Sequence, residues 1–406
     1  MIDTGDTAFI LAAAGLVLLM TPGLALFYGG MVRSKNILGT ILQSFILISV
    51  ISLEWVYIGY SMSFGPDVGG LVGDLSWFAL NGVTSEPSVN YATTIPQNVF
   101  MIYQCMFAII TPALITGAFA ERMRFGPFLV FSVFWAVLVY NPVCHWIWGV
   151  DGWLGNKGVL DFAGGLVVHL TSGAAALAAV FVIGPRKGYG KDNFMPHNLP
   201  MTLIGTGLLW FGWFGFNGGS ALAANGIAAT AVVSTHLGGM AGMATWTLVE
   251  WLHRGTPTTL GAASGAIAGL ATITPAAGFV GPNAAVIIGL IAGAACYYGV
   301  TLKGRFGYDD SLDVVGIHGL GGVIGTICLG VFASKLVNPG GADGLLAGNP
   351  AFLGTQIFGV LVVGIYAFAV SWALLKVVDV TIGLRLPIDS EVSGLDLSEH
   401  SETAYS

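Results

Sequence analysis

Residues 161–173 read DFAGGLVVHLTSG, and residues 310–322 read DSLDVVGIHGLGG. Each stretch carries one histidine, His169 or His318, among Leu, Val, Ile and Gly. In each, an aspartate stands eight residues earlier: Asp161 before His169, and Asp310 before His318. The apolar setting predicts helices in lipid, where an ionisable side chain is costly and marks function by default. A single histidine of this kind is readily a hydrogen-bonded packing residue. Two in the same local frame, 149 residues apart, call for a shared account.

The composition supports a membrane setting. The chain has 406 residues, of which 55% are hydrophobic and only 9% charged, and its mean hydropathy is +0.81. A soluble domain is about 25% charged. The 60 glycines suit close helix approach in lipid. Runs of roughly 20 apolar residues, enough to cross about 30 Å of hydrocarbon, occur eleven times: near 7–31, 37–63, 96–119, 126–147, 162–184, 199–216, 225–252, 259–273, 283–302, 312–333 and 351–383. A membrane β-barrel would instead show alternating segments of about 10 residues. The expected fold is therefore an all-α integral membrane protein with eleven transmembrane helices. The transmembrane domain would span 1–383, and a short polar tail 384–406.

Orientation follows from Lys and Arg in short connections. Arg33, Lys35, Arg122, Arg124, Arg186, Lys187, Lys191, Arg254, Lys303, Arg305 and Arg385 fall in alternate connections or the tail. Only Lys157 and Lys335 fall on the opposite side. The N-terminus is expected outside and the C-terminus in the cytoplasm, across the cytoplasmic membrane. The first apolar run has no basic flank and is too long for a signal peptide, so it counts as a helix. The net charge of −7 comes from acids in outer loops and the tail, and no basic patch points to nucleic acid. Cys105, Cys144, Cys296 and Cys328 all lie in apolar runs and are expected as free, buried thiols.

A second pair of segments matches the histidine pair: FYGG at 27–30 and FNGG at 216–219 close the first and sixth runs. In the expected topology these corresponding runs point in opposite directions. The pattern is an inverted repeat, about 7–184 and about 199–333, with an eleventh helix at about 351–383. Transporters built this way hold substrate near the midplane between the repeats. Eight residues of helix rise about 12 Å. In a core of about 30 Å, His169 and His318 would then meet near the membrane centre. Asp161 and Asp310 each stand at a helix start, where Asp caps orphan N–H groups and meets the favourable end of the dipole.

At this point the chain resembles the ammonium transporter (Amt) family of the Amt/Mep/Rh superfamily, prokaryotic type. The resemblance rests on TPGLALFYGGMVRSKN (21–36), GAFAERMRF (117–125), HWIWG (145–149), LDFAGGLVVH (160–169), PHNLP (196–200), WFGWFGFNGGSALAAN (210–225), GAIAGLATITPAAGF (265–279), DVVGIHGLGG (313–322) and GLDLSEHSETAY (394–405). It implies a homotrimer with one pore per subunit. It implies recruitment of ammonium at Trp148 and Ser220, with Phe107 beside them. Phe107 and Phe216 would form a stacked gate, and His169 and His318 would line the pore below. Asp161 and Asp310 would supply structural and electrostatic support. The substrate would be ammonium or ammonia, with methylammonium as an analogue. A PII-type (GlnK-like) regulator would meet the cytoplasmic face. No cofactor, metal or enzymatic activity is expected.

Two positions depart from the family pattern. Glu54 stands where the family often has an apolar or amide residue, and Ser401 replaces a glycine common after the tail histidine. Glu54 reads either as a partner in helix packing or at a subunit interface, or as an added negative charge near the outer mouth. Rival functions are an ammonia gas channel of Rh type, an ammonium sensor, and a haem protein using paired histidines. Trp148 and Ser220 argue against the first. No appended signalling domain argues against the second, and the lack of a second histidine pair against the third.

Overall fold

The computed structural model describes residues 1–405. Helix follows helix: α1 (Thr4–Met31), α2 (Ser34–Phe64), then two small antiparallel hairpins, β1 (Asp67–Val68) with β2 (Val72–Gly73) and β3 (Pro87–Ser88) with β4 (Ala92–Pro96). There follow α3 (Gln97–Ile115), α4 (Phe125–Asn156), α5 (Gly165–Ile183), α6 (Leu199–Ala221), α7 (Gly226–Arg254), α8 (Thr259–Ile273), α9 (Pro282–Phe306), α10 (Val315–Phe332) and α11 (Pro350–Ile382). The tail adds α12 (Ile388–Ser393) and α13 (Leu395–His400). Among the described residues, ten of these helices are long and apolar enough to cross a membrane. The shorter α8 has 15 residues, a rise of about 22 Å. Pro275, two residues on, has no N–H to continue its ladder. The apolar run at 96–119 likewise stops being helical at Ile115 and passes into turns.

Two pairs of distant helices pack directly: α1 lies along α6, and α5 crosses α10. Small residues permit it. A Cβ at Gly205 would strike the backbone of Phe27, and one at Gly173 would strike the Cα of Gly319. The α5–α10 crossing therefore brings two backbones into contact next to the histidines. Four of the apolar helices contain a π turn: Trp55–Gly59, Ala136–Tyr140, Gly165–Leu170 and Val315–Gly319. Such turns widen the helix locally and concentrate at functional sites. The last two carry His169 and His318.

One end of the bundle is basic and cross-braced. Glu121 receives Arg33 at 2.8 Å and Arg186 at 3.2 Å, and Arg186 also pairs with Asp309 at 2.8 Å. Glu121 holds a left-handed φ of 72°. This strain is tolerated because its carboxylate is held by both guanidinium groups. The Phe194 ring is covered by Arg33 and Arg186, 4.6 and 4.2 Å from its centroid. Arg122 is fully buried and donates to the carbonyls of Gly184 and Asp309 and to Ser311.

The tail folds back onto this end. Glu391 pairs with Arg385 at 2.7 Å and accepts the Lys187 N–H, while Asp396 accepts the Gly39 N–H and Glu399 that of Phe125. All four cysteines are free and buried.

Candidate functional site

The Asp161 carboxylate builds the start of α5. One oxygen accepts the N–H groups of Gly164 and Gly165 at 2.8 and 2.7 Å, and the other those of Leu166 and Val167 at 2.7 and 3.0 Å. A helix start leaves four orphan donors, and one side chain meets all of them here. Gly164, at φ 117°, makes the turn that permits this.

Asp310 does less. It accepts the Val315 N–H at 2.8 Å, and its other oxygen is buried without a partner. Burial raises its carboxyl to about 6, against the pull of Lys303. Lys303 donates to the Asp310 carbonyl and pairs with Asp313. Equal spacing thus produces two different caps.

Each π turn delivers its histidine to the same point. Nδ1 of His169 and Nδ1 of His318 lie 3.2 Å apart, with ring planes 20° apart. One nitrogen donates and the other accepts, so a single N–H sits between the rings. The His169 Nε2 has no partner. Trp213 stacks on His169 at 5.6 Å and Phe216 at 6.2 Å. The cavity here offers about 10 Å³ to water centres, at the limit for one molecule. Its other walls include Leu24, Phe27, Ile110 and Leu114.

A larger cavity of about 470 Å³ opens toward the hairpin side, lined by Phe107, Trp148, Asp161, Ser220 and Gln104 among others. Phe107 lines this cavity and Phe216 lines the histidine cavity. Their rings touch at 4.3 Å between centroids, so the pair partitions the two spaces. Trp148 meets Phe107 edge-on at 6.0 Å, and its indole N–H donates to the Asp161 carbonyl at 2.7 Å. The Ser220 hydroxyl donates to the Phe216 carbonyl at 2.9 Å, which leaves its lone pairs as acceptors. The fold thus gathers Trp148, Ser220, Phe107 and Asp161 around one cavity and sets the histidine pair behind Phe216. Asp310 lies outside this cavity, before the start of α10 and beside Lys303.

Three neighbours escaped the sequence reading. The Tyr103 hydroxyl lies 2.9 Å from the carbonyls of Gly215 and Phe216 and 3.3 Å from Ser220, and Gln104 lines the outer cavity. Tyr103 stands four residues before Phe107, and Trp213 three before Phe216, so a same-face helical reading reaches both. Glu54 is buried. Asn141 donates to one of its oxygens at 2.7 Å, and the other has no partner. Of its two expected readings, the contact fits helix packing.

The Ammonium Transporter Family profile matches residues 8–405. The chain belongs to the ammonium transporter family. An ammonium transporter of Bacillus subtilis is 52% identical over 99% of this chain and 98% of its own length. Ammonium transporter Amt1 of Archaeoglobus fulgidus is 48% identical, covering 99% of each. The crystal structure of Saccharomyces cerevisiae Mep2 superposes with a TM-score of 0.90 at 36% identity, over 96% of this chain and 88% of that one. With these relatives and ten long apolar helices, the family member described here is a multi-pass membrane protein.

Proposed function

We propose that the protein takes up ammonium across the cytoplasmic membrane through a pore within each chain. The hairpin side faces out and the basic side faces the cytoplasm. The chain crosses eleven times as a five-plus-five inverted repeat with α11 added. The packing of α1 on α6 and of α5 on α10 supports this topology. In the outer cavity, Trp148 and Phe107 present aromatic rings to a cation, and the free lone pairs of Ser220 accept an N–H from it. Cation–π attraction is worth about 0.5–2 kcal/mol and does not by itself reject potassium. Selection follows at the Phe107–Phe216 gate, which hydrated ions do not pass, and at the histidine pair. The accepting ring nitrogen takes a hydrogen bond or a proton from ammonium. Potassium finds no oxygen cage there to replace its water. Asp161 and Asp310 hold the two histidine turns.

The family resemblance extends the reading to a homotrimer. It also extends it to a PII-type (GlnK-like) regulator at the cytoplasmic face, where the docked tail lies.

The observation that carries the reading is the 3.2 Å contact between His169 and His318 in a cavity with room for one water. The test is ammonium flux and ammonium-evoked current in reconstituted membranes for the wild type, His169→Ala, His318→Ala and the double variant. The double variant is expected to lose flux, or to lose discrimination against potassium. Wild-type behaviour in all three variants would remove the histidines from the selective element.

A further inference from the structure

We infer that His145, clasped by Asp67, is a positioning residue for ammonium capture: a protonated latch that holds Trp148 in the wall of the outer cavity. This rests on the reading of Trp148 as the recruiting ring.

His145 is fully buried in α4, three residues before Trp148. Its Nδ1 lies 3.0 Å from the Ser63 carbonyl at the end of α2, and its Nε2 lies 2.9 Å from the Asp67 carboxylate on β1. Both partners are acceptors. A neutral imidazole has one N–H to offer, so the His145–Asp67 pair holds one proton more than a neutral ring beside a carboxylate. The hydrogen bond from His145 keeps the Asp67 carboxyl below its ordinary range.

The latch ties a loop to a helix end. Asp67 also accepts the Gly70 N–H. Two neutral bonds run beside it: the Trp146 indole N–H to the Leu71 carbonyl at 2.8 Å, and the Trp153 N–H to the Gly70 carbonyl at 3.1 Å. Only the His145 link is charged. Gly149, the residue after Trp148, packs so closely on the His145 ring that a Cβ there would strike Nδ1. Trp148 is thus held by the Asp161 carbonyl at its indole and by the imidazole at its backbone. The other titratable groups nearby are Tyr91, whose hydroxyl accepts the Val150 N–H, with Cys144 and Asp151 on α4. Removal of the Asp67 carboxylate breaks the charged link while the neutral ones persist, so the fold survives and Trp148 loosens.

The experiment is uptake of labelled methylammonium into proteoliposomes at one fixed pH by the wild type, Asp67→Ala, Asp67→Asn and Trp148→Leu. Asp67→Ala removes the charge-assisted bond and is expected to raise the half-saturating concentration about fivefold to tenfold, with the maximal rate nearly constant. Asp67→Asn keeps an oxygen that accepts from the ring and is expected to lie between Asp67→Ala and the wild type. An Asp67→Ala half-saturation equal to the wild type, or a loss confined to the maximal rate, overturns the latch. Trp148→Leu separates this from the broader reading. If its half-saturation matches the wild type, the recruiting role of Trp148 fails. If it is raised while Asp67→Ala matches the wild type, the latch alone fails.

Discussion

Replacing Asp161 is predicted to damage stability and transport in proportion to the acceptors removed. Its two carboxylate oxygens take four N–H groups at 2.7–3.0 Å, and the residue is 6% exposed. Asp161→Asn keeps one oxygen and turns an NH₂ group toward the other two donors. A buried donor without a partner costs about 1–3 kcal/mol, so Asn is expected to cost about 2–6 kcal/mol. Asp161→Ala abandons all four donors, for about twice that before the turn relaxes. Transport should follow the same order. The Asp161 carbonyl anchors the Trp148 indole, and the turn it caps carries His169. The assay is thermal or denaturant unfolding in detergent, paired with ammonium uptake in liposomes. The expected order is wild type above Asn above Ala in both. Equal losses in Asn and Ala would shift the weight from acceptor count to charge. An Asp161→Ala protein that melts and transports like the wild type would refute the cap as the support of the site.

Four other perturbations have defined outcomes. Burial pushes the Glu121 and Asp309 carboxyls up, but Arg33, Arg186 and Arg122 outweigh it and hold both below their ordinary values. A carboxyl lowered in the fold adds stability that is complete above its unfolded value of about 4 and lost as pH falls through the folded value. Acid melts should therefore show a limb below about pH 4 that Glu121→Gln flattens while lowering stability at neutral pH. Gly173→Ala puts a methyl against Gly319; it should cost about 1–3 kcal/mol by overpacking and cut flux by parting the histidines, with Gly173→Leu failing to assemble. Phe216→Ala opens the partition between the two cavities, and sodium or potassium leak measured in planar bilayers should rise at least tenfold. Glu391→Gln weakens the hold on Arg385 and Lys187, so trypsin should cut at these two residues faster than in the wild type, with methylammonium uptake by the core retained.

The legible parts of this molecule are those with a local period or a fixed offset. Apolar runs marked the helices, and the Asp-to-His offset, converted to rise, placed two imidazoles at one depth. That offset did not reveal the π turns, because an i→i+5 bond has no residue signature. Nor did it show that the caps differ. Asp161 reaches four donors because Gly164 turns the chain back beneath it. After Asp310 the turn is made by Asp313 at φ 65°, which pairs with Lys303 instead. Contacts between segments distant in sequence were hidden altogether. His145 and Asp67 are 78 residues apart, and Glu54 and Asn141 are 87 apart. No periodicity joins them, and only the packing of α2 against α4 brings them together. Within the candidate site, residues carried by a motif could be named from sequence and Tyr103 and Trp213 follow from their same-face offsets, while the contact of His145 with Asp67 becomes visible only in the assembled fold. A variant scan restricted to motif residues would therefore miss Asp67, the partner that clasps His145.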